Sequence, residues 1–516
     1  MATADWPLNL SREQFISQAG SALADDRLDL AHTLCLLGLT EYPDSGHLLT
    51  ILGWVLARSS NHANAETSFR HALSIDPQIA DAHAGLAAVL ADNKQYSTAD
   101  AHYRCVLELN ANDSNTFFNH GCTRMALGRS HEAIKSFQQA IRLDPARADA
   151  LHNLGIACGQ LGRWDQTLDY CQRALALNSG SWQVRFLRAM SRLALGSFAA
   201  GWDDYEARTE SQDYYTRLLG VPPWDGLADH RQSIAVVPEQ GVGTQIMFAS
   251  CLADLAARVP NCTLGCDVRL IKLFRRSFPT CNVVAAGTLP VLARNNRFDC
   301  FIMAGSLPRI FRRSAHQFSG AHYLSADPLA SRRWRKRLQS LGAEAKIGIT
   351  WRGGSLAPDS RHRCTAIADW RPLLALRDVR WINLQYDATA SELEEWEQAT
   401  GGRFHDFDAF DKKHDFENLA GLIGGLDLVI TVVNSTVHLA GALGVPTWTL
   451  VPAGGEWRWQ TSGETCLWHD SVRLIRQHHL GDWSNAFSQI RKRLLTQRLA
   501  SAPPSSGRAV RRKAAI

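Results

Sequence analysis

The sequence predicts a helical solenoid of hairpin repeats followed by an α/β region in two halves. Two observations carry this. Small and aromatic residues recur in fixed columns every 34 positions, and from residue 234 apolar β-branched runs alternate with glycine-bearing turns and helical periodicity. The 516 residues are 45% hydrophobic and 20% charged, a globular composition with room for roughly two to four domains. The formal net charge of +5 marks neither a nucleic-acid binder nor an acidic scaffold. Twelve cysteines include no CxxC pair, Cys262 and Cys266 being the nearest of interest, so reduced thiols are expected and no metal or disulfide framework. The N-terminus lacks the basic and apolar regions of a signal peptide. The apolar stretch 421–433 is too short to span a membrane and carries Asp427. A cytoplasmic chain with no membrane span and no nucleic-acid partner is expected.

The repeats come first. Positions 42, 76, 110, 144 and 178 mark turns at a constant spacing of 34. Gly53, Ala87, Gly121, Gly155 and Ala189 keep one small column, Ala65, Ala99, Ala133 and Thr167 a second, and Ala72, Val106, Ala140 and Ala174 a third. Aromatics recur at Phe69, Tyr103 and Phe137, with Cys171 once in their place and Tyr205 resuming the column. Small residues let two helices approach, the aromatic fills the space between hairpins, and the Pro or Asn turn ends each repeat. The pattern resembles the tetratricopeptide repeat, with four full copies over about 45–180 and weaker ones flanking them. Such an array offers a groove for a protein partner; a second reading has it only stabilise or dimerise the α/β region behind it.

The array is assigned to 1–208 and a linker to 209–232, where Val221-Pro-Pro-Trp-Asp-Gly226 is turn chemistry. The first α/β half, 233–328, opens with a strand at 234–238, a turn Glu239-Gln-Gly-Val-Gly243 and a helix over 244–257. Further strands are expected at 263–266, 282–286 and 299–303, and 321–328 reads as a connector. The second half, 329–490, has strands at 346–351, 379–384, 428–433, 447–451 and 472–475. Between the third and fourth of these, Asn434 and Ser435 offer N-cap chemistry, and Gly444 ends the helix before Pro446. Because ligands lie beyond the C-terminal ends of parallel strands, Arg352, Gly353, Gly354, Gln385 and Asn434 to His438 should share one rim. Residues 491–516 read as a basic low-complexity tail.

Glu239-Gln-Gly-x-Gly with Gln245-Ile-Met-Phe, Gly305-Ser-Leu-Pro, Trp351-Arg-Gly-Gly, Leu384-Gln, Asn434-Ser-Thr-Val-His-Leu-Ala-Gly-Ala-Leu-Gly-x-Pro and Trp457-Arg-Trp459 together carry a resemblance. The chain resembles tetratricopeptide-repeat proteins with a glycosyltransferase domain similar to ADP-heptose:lipopolysaccharide heptosyltransferases. The resemblance implies a GT-B fold of two Rossmann-like halves, with the nucleotide-sugar donor on the C-terminal half and a protein or glycan acceptor on the N-terminal half. It implies inverting transfer without an essential metal or cofactor.

The expected donor-binding residues are Trp351, Arg352, Gly353, Gly354, Arg363, Gln385, Asn434, Ser435, Thr436, His438 and Trp457. The helix start at Ser435 to His438, aided by Arg352 or Arg363, would offset the charge of a leaving diphosphate. The resemblance implies that Gly241, Gly243 and Gln245 lie on the acceptor side. The sequence departs from the resemblance where a base is needed. Thr244 stands where the family usually has Asp, and Val433 replaces a second Asp. A threonine hydroxyl is no base near neutral pH, which leaves Glu239 as the nearest carboxylate. Two functions are therefore expected: a glycosyltransferase whose repeats recruit the acceptor, or a repeat scaffold with a catalytically degenerate GT-B domain. A protein O-linked sugar transferase of the other GT-B type is a weaker form of the first.

Overall fold

The computed structural model describes residues 10–110, 112–211, 218–227, 232–353, 363–454 and 456–496. The chain divides into two compact units: residues up to Gln160 with Asp169–Gly180, and Leu161–Leu168 with residues from Ser181 onward.

The first unit is built of helical hairpins. Its helices are α1 (Arg12–Ala24), α2 (Leu28–Glu41), α3 (Gly46–Arg58), α4 (His62–Ile75), α5 (Ala80–Asp92), α6 (Tyr96–Leu109), α7 (Ser114–Ala126), α8 (Ser130–Leu143), α9 (Ala148–Gln160) and the later part of α10 (Trp164–Leu177). Ser11, Ser45 and Asp113 cap helix starts by accepting backbone N–H groups. The aromatic column packs as its spacing predicts. A Cβ at Gly53 or Gly85 would come within 2.6 Å and 2.2 Å of the Phe69 ring, and one at Gly121 within 2.5 Å of Phe137. The fold reveals a further column. Asp26, Ser60, Lys94, Gly128, Gly162 and Gly196, again 34 apart, all have positive φ, from 59° to 80°. Each turns its hairpin through the left-handed region, which favours glycine.

The second unit opens with α11 (Trp182–Ala194) and α12 (Phe198–Tyr205) and contains two parallel sheets. The first sheet has the order β3-β2-β1-β4, with β1 Ser233–Val237, β2 Asn261–Cys266, β3 Asn282–Ala285 and β4 Cys300–Met303. The second has the order β10-β9-β8-β5-β6-β7, with β5 Ala345–Ile349, β6 Val379–Asn383, β7 Phe404–His405, β8 Leu428–Val432, β9 Thr447–Val451 and β10 Val472–Arg476. Every residue of β5, β8 and β9 is buried, as apolar runs in a helix-covered parallel sheet should be. The connector at 321–328 ties the two halves: the Tyr323 hydroxyl donates to the Ile246 carbonyl at 2.7 Å, and the Tyr323 and Leu324 N–H groups donate to the Ala442 carbonyl.

Four expectations are corrected. The array does not run to residue 208, because α11 and α12 pack in the second unit. Trp202 meets Trp457 and Trp468 edge-on, and its Nε1 donates to the Arg312 carbonyl at 2.9 Å. The stretch 209–232 is not all linker, since Pro222 and Trp224 exchange backbone hydrogen bonds with Phe301 and Trp224 is buried. The helix expected over 244–257 is two helices, Val242–Ala249 and Leu252–Arg258, parted where the Ser250 carbonyl accepts from Arg312 instead of continuing the ladder. The tail begins later than 491, because the final helix runs Ser484–Thr496 and buries Ile490 and Leu494. The segment 501–513 lies outside the described residues. Cys262 and Cys266 are buried in β2. Among the described residues no helix is long and apolar enough to cross a membrane.

The packing yields a pair of opposed expectations for the repeat unit. Gly85→Ala should lower its stability, because overpacking against Phe69 typically costs about 1–3 kcal/mol. Lys94→Gly should raise it, because a left-handed turn costs a side-chain-bearing residue roughly 1 kcal/mol. Urea unfolding followed by circular dichroism checks both; shifts of the same sign would refute this account of the two columns.

Candidate functional site

The expected rim residues come from the C-terminal ends of β5, β6 and β8. Asn434 joins two of these ends. Its side chain caps the Ser435–Ala442 helix by accepting from Thr436 N at 2.9 Å, and donates to Thr350 Oγ1 at 2.9 Å and to the Arg352 carbonyl at 3.4 Å. Gln385 joins β6 to β5 in the same way: Trp351 N and Arg352 N donate to its Oε1 at 3.1 and 3.2 Å. These two amides therefore hold the turns together, and their hydrogen-bonding capacity is largely spent inside the protein.

The expected cations are also committed. Arg352 Nη1 lies 2.9 Å from Asp387 and its Nη2 lies 2.7 Å from Glu392. Burial works against it, yet the Arg352 hydrogen bond holds the Glu392 carboxyl down at about 2. Arg363 is ion-paired to Glu456. The two tryptophans expected beside the donor pack instead. Trp351 is buried against Trp396 with ring centroids 5.0 Å apart, and Trp457 is buried edge-on to Trp202. Among the described residues only the Val433 carbonyl lies near a would-be Cβ at Gly353, and Val433 is buried. Gly354 lies outside the described residues.

The helix start at Ser435 is not an open anion cradle. A Cβ at Gly243 would sit 3.0 Å from Ser435 Cα, so the Val242–Ala249 helix and the Ser435–Ala442 helix meet at their first turns. Thr436 and His438 are buried. His438 stacks on Trp459 at 5.3 Å, and its Nδ1 lies 3.3 Å from His469 Nε2. Burial pushes both imidazoles down, His438 well below its ordinary value and His469 to about 3. His438 is thus a buried, neutral histidine beside the turn after β1.

The glycine turn after β1 is shaped by its neighbours. Gln240, not a glycine, takes the left-handed conformation at φ 57°, while Gly241 is open and Gly243 provides the close approach. Gln245 braces this turn, donating to the Gln240 carbonyl at 3.3 Å and accepting from Asp267 N at 2.9 Å. Glu239 is fully engaged: Arg208 Nε and Nη2 donate to its two oxygens at 2.7 and 2.8 Å, and Gly305 N donates at 2.5 Å. That geometry removes it as a candidate base.

The residue that sequence reasoning missed is Arg458. Its Nη2 lies 3.2 Å from Gln240 Oε1 and 3.5 Å from Thr244 Oγ1, and its Nη1 lies 3.2 Å from Glu456. Glu456 thereby links Arg363 and Arg458, and Arg458 crosses from the second sheet's half to the turn after β1. The available signal was a cation between two tryptophans in a polar loop. No group of three or more His, Cys, Asp or Glu among the described residues is placed to hold a metal ion.

Burial of the histidine pair gives a pH dependence. Each is neutral in the fold and takes up a proton on unfolding, so its stabilisation is complete above about pH 6.5 and is lost as the pH falls below that value. For His469, with a folded value of about 3, roughly 2 kcal/mol should go between pH 7 and pH 5. Urea unfolding of the full chain should show His469→Phe losing less stability over that range than the parent. Equal losses would show that His469 is not buried neutral.

Models of the tetratricopeptide repeat match residues 46–79 and 118–182. The chain is 27% identical over 468 residues to Protein FlbA of Caulobacter vibrioides, spanning 87% of this chain and 78% of that protein. It is 32% identical over 129 residues to the type IV pilus assembly protein PilF of Pseudomonas aeruginosa, which is 25% of this chain and about half of that protein, 51%. Among solved structures, MamA from Desulfovibrio magneticus is 18% identical with a TM-score of 0.31, over 34% of this chain and 99% of its own. The Pseudomonas aeruginosa PilF structure is 16% identical with a TM-score of 0.35, over 40% of this chain and 91% of its own. The chain carries tetratricopeptide repeats, a module for protein–protein interaction, followed by an α/β region of parallel sheets.

Proposed function

We propose that the chain is a protein-interaction scaffold whose α/β region is a GT-B-type module that binds a nucleotide sugar without efficient transfer. The repeats support the scaffold. Two parallel sheets joined by a connector, with glycine turns at the ends of β1 and β5, support a module similar to the heptosyltransferases. One observation carries the loss of transfer: the hydroxyl at the base position, Thr244, faces Arg458, Glu456 is held by Arg363 and Arg458, and the carboxylate nearest in sequence, Glu239, is bonded to Arg208 and Gly305 N. Acceptor activation needs a group that can take a proton near neutral pH. Donor binding would rest on the turn at Gly353 and the half-buried Asn434 and Ser435 beside it, need no metal or cofactor, and leave a protein or glycan acceptor beside Gly241.

Calorimetry of the full chain with ADP-, UDP- and GDP-sugars, with and without EDTA, tests donor binding, and mass spectrometry of the same samples tests turnover. Binding that survives EDTA with little turnover is expected. General-base catalysis contributes on the order of a hundred- to ten-thousand-fold, so Thr244→Asp, with Arg458→Gln to stop it being ion-paired, should raise turnover measurably. With Arg458→Gln in place, the double change Thr244→Asp and Val433→Asp should exceed either alone. Robust transfer by the parent chain would establish the enzyme instead, and no nucleotide binding would leave the scaffold alone.

A further inference from the structure

The repeat unit holds a cavity of about 280 Å³ bounded by α6, α7 and α8 and lined by Arg104, Glu108, His120, Arg124, Lys135 and Gln139 among others. It lies between the second helices of two successive hairpins, with the first helix of one between them. His120 is buried there, 1% exposed, with Nε2 at 2.7 Å from Asp100 Oδ1. Asp100 is ringed by guanidiniums, Arg124 and Arg129 at 3.3 Å and Arg104 at 3.7 Å. Burial opposes the charge, but His120 and Arg124 hold the carboxyl below its ordinary value. An ionised Asp100 requires His120 Nε2 to donate, which leaves Nδ1 as an acceptor.

Among the described residues that buried Nδ1 has no hydrogen-bond partner, and neither has Gln139 Oε1. Two acceptors that the protein leaves unsatisfied line one cavity and can take a donor that enters it, a water or a ligand group. The cavity also has cations to offer. Lys135 is exposed and makes no ion pair among the described residues, and the Arg104 side chain is 59% exposed. Acceptors beside the uncommitted Lys135 and the exposed Arg104, which shares Asp100 with two other arginines, fit a ligand that carries a donor next to a carboxylate.

We infer that this cavity binds an acidic peptide segment of a partner protein. Its carboxylate meets Lys135 and Arg104, and an adjacent hydroxyl or amide donates to His120 Nδ1 and Gln139 Oε1. This rests on the repeats being a protein-binding module and names the place and chemistry of one contact. The test uses the full chain and fluorescein-labelled hexapeptides, an alternating Glu-Ser and an alternating Lys-Ser sequence, followed by fluorescence anisotropy. The acidic peptide should bind at least tenfold more tightly than the basic one. Lys135→Glu, at an exposed position, and Gln139→Leu, at a half-buried one, should each weaken it about tenfold, whereas Lys272→Glu, in the other unit, should not. Acidic-peptide binding that ignores both changes would overturn the cavity while leaving the array a binding module. Binding of neither peptide would overturn the cavity and count against the array as a peptide-binding module as well.

Discussion

The second unit depends on one buried ion pair. Arg208 and Glu239 are 5% and 7% exposed, and the guanidinium grips both carboxylate oxygens. The same guanidinium donates to the Tyr205 carbonyl and to Ser306 Oγ, while Glu239 accepts from Gly305 N. Three pieces of chain meet there: the end of the last helical hairpin, the turn after β1 and the turn after β4. A buried pair adds little net stability over an apolar packing, but removing one partner leaves an unmatched charge, at a cost of about 3–5 kcal/mol. The pair therefore fixes geometry. It holds Gln240 where its amide donates to Tyr205 Oη at 3.1 Å, and it makes α11 and α12 part of the α/β unit.

From that anchor the seam between the two sheets can be followed outward. The Gln240 carbonyl accepts from Gln245, the Gln240 side chain accepts from Arg458, and Arg458 shares Glu456 with Arg363. Gly243 lets the two first-turn helices touch at Ser435. Charge along the seam is matched pair by pair, Arg352 included. A ligand entering there must displace internal partners or use what stays open, chiefly Gly353 and Gly241. This is the physical basis for reading the region as a binding module with reduced chemistry.

The repeats were legible because their packing is local and periodic: a glycine under Phe69 or Phe137 shows as a column. The strands were legible as β-branched runs, and the Asn434 cap as an N-cap residue after one of them. Non-local partners were not legible. Tyr205 sits in the aromatic column, so periodicity alone keeps its hairpin in the array, while its neighbours across the chain place it in the other unit. Nothing near Arg352, Arg363 or Trp457 in sequence announces Asp387, Glu456 or Trp202 as partners, and those contacts decide that the first two are paired and the third is buried. Lys94 in a left-handed turn escaped because the residue itself gives no glycine signal.

The most direct measurement compares Glu239→Gln with the parent chain for thermal stability and for nucleotide-sugar turnover. If Glu239 is a structural partner of Arg208, the substitution should lower the unfolding temperature of the α/β unit and leave whatever turnover exists unchanged while that unit remains folded. Unchanged stability with abolished turnover would make Glu239 the catalytic base and contradict this account.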